Sequence, residues 1–178
     1  MADLHDVSDP APLLVEFRDR LPKGAALDLA MGYGRHALYL AAAGWDVHGV
    51  ERDPDAVSAC RREAERRGLS LRIEQADLDA YRIPANAYDL VVVFYFLDRA
   101  LIPQIRDAIK PGGAIVYETF GIENQRRFGR PRRTDFCFQP GELAAAFAGF
   151  RVLASREGLV GGQYVAQLVA IKPEAVGG

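Results

Sequence analysis

The run Ala25-Ala26-Leu27-Asp28-Leu29-Ala30 is apolar but for one carboxylate and too short for a buried helix. It leads through Met31 into Gly32-Tyr33-Gly34, and a helical pattern starts at once, from Arg35 to Ala43, and stops at Gly44. A buried strand that turns tightly on glycines into a helix is the first half of a strand-helix-strand unit, which builds a parallel sheet. The order then repeats. Asp46 to Glu51 predicts a second strand, and Asp53 as N-cap, Pro54 in the first turn and Gly68 beyond the end frame a second crossover helix. Ser70 to Gln75 and Tyr88 to Tyr95 predict strands three and four. Asp98 caps a helix carrying Leu101, Ile105 and Ile109, with an irregular first turn at Pro103. Pro111-Gly112-Gly113 breaks the chain before a fifth strand at Ala114 to Thr119.

Upstream, Leu13, Leu14, Phe17 and Leu21 share one face of a helix expected over Pro12 to Leu21. Past residue 119 the alternation stops. A polar, arginine-rich loop is expected to run to Phe138, followed by a short helix near Pro140. Two strands, about Phe150 to Ser155 and Tyr164 to Ile171, are joined through Gly158, Gly161 and Gly162 as an antiparallel hairpin on the sheet edge. The expected fold is α/β: a doubly wound, Rossmann-like sheet of seven strands, mostly parallel with one antiparallel strand, and helices on both faces. One domain accounts for residues 1–178, with 1–22 as an N-terminal extension and helix and 120–138 as a loop over the active site.

Composition narrows the class. The 178 residues are 49% hydrophobic and 26% charged, as in an ordinary globular protein. With 22 basic and 24 acidic residues the net charge is −2, so no overall field recruits nucleic acid or an anionic membrane. Met1 to Pro10 carries Asp3, Asp6 and Asp9 and lacks the basic and apolar parts of a signal peptide, and the longest apolar run, Leu90 to Leu97, is far too short to span a bilayer. Cys60 and Cys137 have neither metal-ligand spacing nor a disulfide framework. A cytoplasmic chain without metal, monomeric or homodimeric, is expected.

Gly32-Tyr33-Gly34-Arg35-His36-Ala37 satisfies the G-x-G-x-x-G/A pattern between a strand and a helix, and Glu51 stands where a ribose-binding acid is expected. The pattern alone admits NAD or S-adenosylmethionine (SAM). Asp28 separates them. A dinucleotide brings its pyrophosphate to this turn, where a buried carboxylate repels it. SAM carries one carboxylate, suited to the helix N-terminus at Gly34 and Arg35, and an ammonium that Asp28 can match.

The stretch Asp28-Leu29-Ala30-Met31-Gly32-Tyr33-Gly34-Arg35-His36 resembles the first motif of class I SAM-dependent methyltransferases. Val50-Glu51, Ala76-Asp77-Leu78, Tyr88-Asp89-Leu90-Val91-Val92 and Ile109-Lys110-Pro111-Gly112-Gly113 agree with the family in order and spacing. The likeness covers roughly residues 25–171. Within the class, Gly34-Arg35-His36, the Leu40-to-Gly49 stretch and Phe138-Gln139-Pro140-Gly141-Glu142-Leu143 are most similar to the small bacterial tellurite-resistance-type methyltransferases. The resemblance implies that Gly32 and Gly34 let the backbone approach the methionine moiety, Glu51 holds the ribose, Asp77 accepts from the adenine amino group with Leu78 donating beside it, and Phe94 lies near the methyl donor. S-adenosylhomocysteine would be the product. Met31 stands where many relatives place a smaller residue.

Methyl transfer from a sulfonium is an in-line displacement in which positioning does much of the catalysis; an anionic chalcogen needs no base, whereas a protonated acceptor does. The sequence contains no strong base motif. His36, Tyr95 and Tyr117, with Glu118 beside it, are the catalytic candidates, each with a packing role as the rival; His48 is expected to be structural and His5 lies in the N-terminal extension. Phe94-Tyr95-Phe96-Leu97 replaces the Asn/Asp-Pro-Pro-aromatic turn of enzymes that methylate amide or adenine nitrogens, and two cysteines disfavour arsenite as acceptor.

Residues 126–133 hold five arginines. Arg130, Arg132 and Arg133 are candidates for attracting an anionic acceptor at the carboxyl ends of the strands. The rivals are an RNA patch with Phe128 and a solvated loop paired with surface acids. The sequence thus points to methyl transfer from SAM to a small acceptor, anionic or of chalcogen type. A NAD(P)-binding module or reductase and a non-catalytic binder of SAM or its product are the alternatives.

Overall fold

The computed structural model describes residues 9–174. Seven strands, β1 (Ala25–Leu29), β2 (Asp46–Glu51), β3 (Arg72–Gln75), β4 (Tyr88–Phe94), β5 (Ile109–Phe120), β6 (Arg151–Val160) and β7 (Gln163–Ile171), form one sheet. Its order is β3-β2-β1-β4-β5-β7-β6. All neighbours from β3 to β5 are parallel, and β7 lies antiparallel between β5 and β6. Six helices surround it: α1 (Pro12–Phe17), α2 (Arg35–Ala42), α3 (Pro54–Arg67), α4 (Ile102–Ala108), α5 (Ile122–Phe128) and α6 (Glu142–Ala146).

The periodicities explain the layers. On α3, Ala56, Val57, Cys60 and Ala64 form the buried stripe, Asp53 accepts from the Asp55 amide at 2.9 Å, and Gly68 ends the helix in the left-handed conformation. With α1 and α2 this helix covers one face of the sheet over Leu90, Val92 and Val116. Helices α4 and α6 cover the other over Leu27, Val91, Val93 and Tyr117. Strands buried on both faces read as continuous apolar runs because alternate residues enter two different cores.

Several boundaries refine the sequence reading. The first helix is α-helical only to Phe17 and finishes as a 3₁₀ turn, Arg18–Arg20. A second 3₁₀ turn, Arg99–Leu101, precedes α4, where Pro103 occupies the first turn. The fifth strand starts at Ile109: Ile109 pairs with Tyr88, the ladder then slips, and Ala114 pairs with Leu90. Pro111-Gly112-Gly113 is therefore a bulge within β5, a place where a residue lacking an amide donor is tolerated. The arginine-rich stretch opens with a true helix, α5, and β6 runs on through Gly158 to Val160.

The sheet reverses its winding between β1 and β4. In an open α/β sheet that switch point, at the carboxyl ends of the strands, is where a crevice opens. Each strand is followed there by a non-glycine residue with positive φ, Ala30 at 53° after β1 and Tyr95 at 53° after β4. Such strain clusters where a chain is shaped for binding. Among the described residues no helix is long and apolar enough to cross a membrane.

Candidate active site

The glycine turn is held from beneath. The Met31 amide donates to the Val50 carbonyl at 3.0 Å, and the Gly32 amide donates to Glu51 Oε2 at 2.9 Å. Glu51 Oε1 also accepts from the amides of Arg52 and Asp53 at 2.8 and 2.9 Å. A carboxylate offers about four acceptor sites. Three backbone donors leave capacity for a hydroxyl, as a ribose would supply. Gly34 caps α2 with φ of 86°, and a Cβ there would lie 2.2 Å from Cys60 Sγ. Only glycine satisfies both demands. Met31 causes no obstruction at the turn: its thioether is buried over Gly49, where any Cβ would lie 2.3 Å from Sδ.

Asp28 is 1% exposed, on the β1 face that looks toward α2 and α3. Burial pushes its carboxyl up to about 8, against the downward pull of a hydrogen bond from the Ala37 amide and of the Arg35 charge. Its Oδ2 is the one buried side-chain polar atom without a hydrogen-bond partner among the described residues. A buried acceptor left open costs free energy, about 1–3 kcal/mol, until something donates to it. Directly beside it is the first turn of α2, from which the Ala37 amide donates to this carboxyl. An acceptor and a helix N-terminus side by side fit the ammonium and carboxylate of an amino-acid moiety, as SAM carries. They do not fit a pyrophosphate.

A cavity of about 1050 Å³ opens at the carboxyl ends of the strands. Glu51, Asp77 and Leu78 line one side, and Tyr95, Thr119 and Phe120 the other. Asp77 is exposed and also organises its own turn, accepting from the Asp79 amide at 3.1 Å through its side chain and from the Tyr81 amide through its carbonyl. Asp28, Gly32 and Gly34 lie at the glycine turn, apart from the cavity lining. Phe94 is buried, stacked on His36 with ring centroids 3.8 Å apart.

The catalytic candidates separate by environment. His36 is 3% exposed, and its Nε2 accepts from the Ala11 amide at 3.1 Å, which requires the neutral ring; burial holds its pKa well below the ordinary value. It ties α1 to α2. Tyr117 is fully buried in the opposite core, its hydroxyl donating to the Phe96 carbonyl at 2.8 Å, so it does not reach the cavity. His48 lies between the Tyr88 hydroxyl and Glu74, at 2.8 and 3.0 Å. Tyr95 remains at the cavity wall, its ring 5.0 Å from that of Phe120 and 6.0 Å from the Arg35 guanidinium. Behind it is Glu118, 2% exposed, which accepts from Gln167 Nε2 at 2.6 Å.

The roof over the cavity comes from Pro131, Arg133, Asp135 and Phe136. Its arginines are divided. Arg126 and Arg127 pair with Glu123, and Arg133 pairs with Asp135 at 2.8 Å, as the solvated-loop alternative requires. The Arg130 carbonyl accepts from Asn124 Nδ2 at 2.8 Å. Arg132 is exposed. One residue that sequence reasoning missed organises this roof. Arg99 lines the cavity and donates to Glu142, to the Asp135 carbonyl at 2.7 Å and to the Cys137 carbonyl at 2.9 Å. Nothing local to Arg99 signals partners 36 to 43 positions away. No three His, Cys, Asp or Glu side chains among the described residues gather in a way that could hold a metal ion.

Comparison with known proteins agrees with this geometry. A family model described as a methyltransferase domain matches residues 26–113. A demethylmenaquinone methyltransferase of Thermus thermophilus is 32% identical over 146 residues, which cover 76% of this chain and 66% of that protein. A probable S-adenosyl-L-methionine-dependent methyltransferase, TehB of Haemophilus influenzae, is 34% identical over 82 residues, covering 44% of this chain and 28% of the relative. The crystal structure of TehB from Haemophilus influenzae superposes with a TM-score of 0.80 at 20% identity, over 92% of this chain and 62% of that one. The chain spans less than two thirds of the length of these relatives. By its glycine turn, its sheet and these likenesses, the chain belongs to the class I SAM-dependent methyltransferases.

Proposed function

We propose that this protein transfers a methyl group from SAM to a small-molecule acceptor of anionic or chalcogen type, held in the cavity beneath the 120–138 segment. The observation that carries the proposal is the open Oδ2 of Asp28 beside the amides that start α2. When bound, SAM supplies an electrophilic methyl group on a sulfonium. The chain's own residues bind and orient. Asp28 receives the ammonium, the turn at Gly32 to Arg35 receives the carboxylate, Glu51 takes the ribose hydroxyls, and Asp77 with Leu78 meets the adenine at the cavity edge. Phe94 backs the wall nearest the donor, Arg133 on the roof serves the acceptor, and Arg130 and Arg132 serve it from the same segment, outside the cavity lining. The resemblance of Gly34-Arg35-His36 and Phe138 to Leu143 to the tellurite-resistance-type methyltransferases supports a chalcogen acceptor, and the free, buried Cys60 and Cys137 are consistent with a reducing cytoplasm.

Calorimetric titration with SAM, S-adenosylhomocysteine and NADH tests the cofactor. The first two should bind in the micromolar range, and Asp28→Ala should weaken them at least tenfold. Binding of NADH alone would overturn the reading. Methyl transfer from labelled SAM to tellurite, selenite and small thiols then separates an enzyme from a silent binder.

A further inference from the structure

Three properties of the cavity have no task in holding SAM. The rings of Tyr95 and Phe120 form one wall, the ring of Phe136 belongs to the roof, and among the described residues no histidine, lysine or cysteine lines the space.

We propose that the acceptor is an aromatic thiol that arrives as its thiolate, with its ring held between Phe136 on the roof and Tyr95 and Phe120 on the wall. The inference rests on the methyltransferase reading above and names its acceptor class. Phe136 is the residue that selects the ring.

Charge narrows the acceptor first. The carboxylates of Glu51, Asp77, Asp79, Asp98 and Asp135 line the cavity, against the guanidiniums of Arg52, Arg99 and Arg133. Two of those guanidiniums are already engaged. Arg99 is shared among Glu142 and two carbonyls, and Arg133 pairs with Asp135 at 2.8 Å. An inorganic oxyanion needs several convergent donors to replace its water, and this lining does not offer them. A single negative charge on sulfur has its partner in the sulfonium that it attacks.

Proton chemistry narrows it further. The carboxylates are the only bases in the lining, and most are occupied. Glu51 accepts from three amides, Asp77 and Asp98 accept from the amides of Asp79 and Ala100 at 3.1 and 2.9 Å, and Asp135 faces Arg133. Asp79 adjoins Leu78, on the side assigned to the adenine. Such a site suits an acceptor that sheds its proton in solvent. Alkane thiols are mostly protonated at neutral pH, whereas a ring on sulfur spreads the negative charge and makes the thiol more acidic.

The rings supply the recognition. Tyr95 and Phe120 lie 5.0 Å apart between centroids, tilted by 53°, and make a continuous apolar surface across the cavity from Asp77 and Leu78. Phe136 is 44% exposed although it roofs the site, and the Arg133 guanidinium steadies it from 5.0 Å above the ring. Aromatic walls on two sides favour a planar ring over an alkyl chain of like acidity.

The step balances without a base. The thiolate sulfur attacks the methyl carbon, a new S–C bond forms, and the old C–S bond breaks with its electron pair left on the departing sulfur. The products are an aryl methyl sulfide and S-adenosylhomocysteine, and no proton crosses the site.

The test uses the full chain, wild type, Phe136→Ala and Phe120→Leu, after a thermal melt and SAM calorimetry have shown which variants fold and bind. Methylation of benzenethiol is compared with that of 2,2,2-trifluoroethanethiol, an alkane thiol of similar acidity, at about pH 8.5, where both are ionised. Selenite and tellurite serve as the oxyanions. Wild-type kcat/KM should be about tenfold or more higher for benzenethiol than for the other three, and each variant should lose about tenfold on benzenethiol but less than about threefold on trifluoroethanethiol. Independently of turnover, calorimetry should show methyl phenyl sulfide binding to the S-adenosylhomocysteine complex about tenfold more weakly in Phe136→Ala than in wild type. Benzenethiol left unmethylated by a protein that binds SAM, or used no better than the alkane thiol or an oxyanion, overturns the aromatic acceptor alone. Equal losses on both thiols, or sulfide binding untouched by Phe136→Ala, does the same. A wild type that binds no SAM overturns it together with the reading it rests on.

Discussion

Arg99, just after β4, and Glu142, the first residue of α6, are joined at two points, Nε to Oε1 at 2.6 Å and Nη2 to Oε2 at 2.9 Å. The planar guanidinium suits this fork, and its remaining donors reach the carbonyls of Asp135 and Cys137. Glu142 Oε2 also accepts from the Gln139 amide at 2.7 Å. The guanidinium holds the Glu142 carboxyl below its usual range. One arginine thereby pins the segment that roofs the cavity to the helix that follows it.

Removing that pin should open the roof more than it unfolds the protein. The pair is partly exposed, so its net worth is about 1 kcal/mol. Arg99→Ala is expected to lower the melting temperature by a few degrees and to speed tryptic cleavage after Arg132 and Arg133 about tenfold, with Glu142→Gln acting in the same direction. Digestion rates followed by mass spectrometry decide it; unchanged cleavage in both variants would contradict the pinning.

Asp28 should make the ligand-free protein less stable as pH rises. Its folded-state pKa of about 8 lies above the unfolded value near 4. Below pH 4 both states are protonated and nothing is lost. Between pH 4 and 8 the folded state holds a proton that the unfolded state has released, so stability falls with pH and levels off above 8. Asp28→Asn removes this dependence. The variant should gain on the wild type steadily across that window, by a few kcal/mol at pH 8. Denaturant midpoints at pH 5, 6.5 and 8 measure the gap, and a gap that shrinks with pH refutes the assignment.

The same residue should couple SAM binding to proton release. An ammonium requires Asp28 ionised, while the free protein near pH 7 holds it protonated. Binding enthalpies measured at pH 7 in phosphate and in Tris should differ by the buffers' ionisation heats times close to one proton released. Asp28→Asn should abolish that difference. Equal enthalpies in the wild type would mean that no proton leaves.

Gly34→Ala faces two separate obstacles, a φ of 86° and a contact of 2.2 Å with Cys60 Sγ. Backbone strain costs about 1–3 kcal/mol and the overpacking a similar amount. The added Cys60→Ala change should recover the second part and leave the first. Chemical denaturation of the two single variants and the double variant checks this; purely additive losses would show that the thiol is not what the methyl group meets.

Local signals in the chain settled most of the architecture. Strand-helix alternation, the cap at Asp53, the stop at Gly68 and the glycine turn after β1 are each decided by a few neighbouring residues, because backbone conformation and burial on two faces leave a local periodic trace. The charge argument on Asp28 likewise needed only its position at the end of an apolar run. Hydrogen bonds between distant segments leave no such trace. That His36 belongs to the α1 contact through Ala11, that Tyr117 turns away from the cavity while Glu118 backs Tyr95, and that Arg99 holds the roof all depend on which strand faces and loop ends the fold brings together. The same holds for the arginine-rich stretch. Its composition suggested an open loop, but Asn124, buried within it, donates to the Arg130 carbonyl and accepts from the Tyr164 amide of β7 at 2.7 Å, so tertiary contacts turn part of that stretch into a helix.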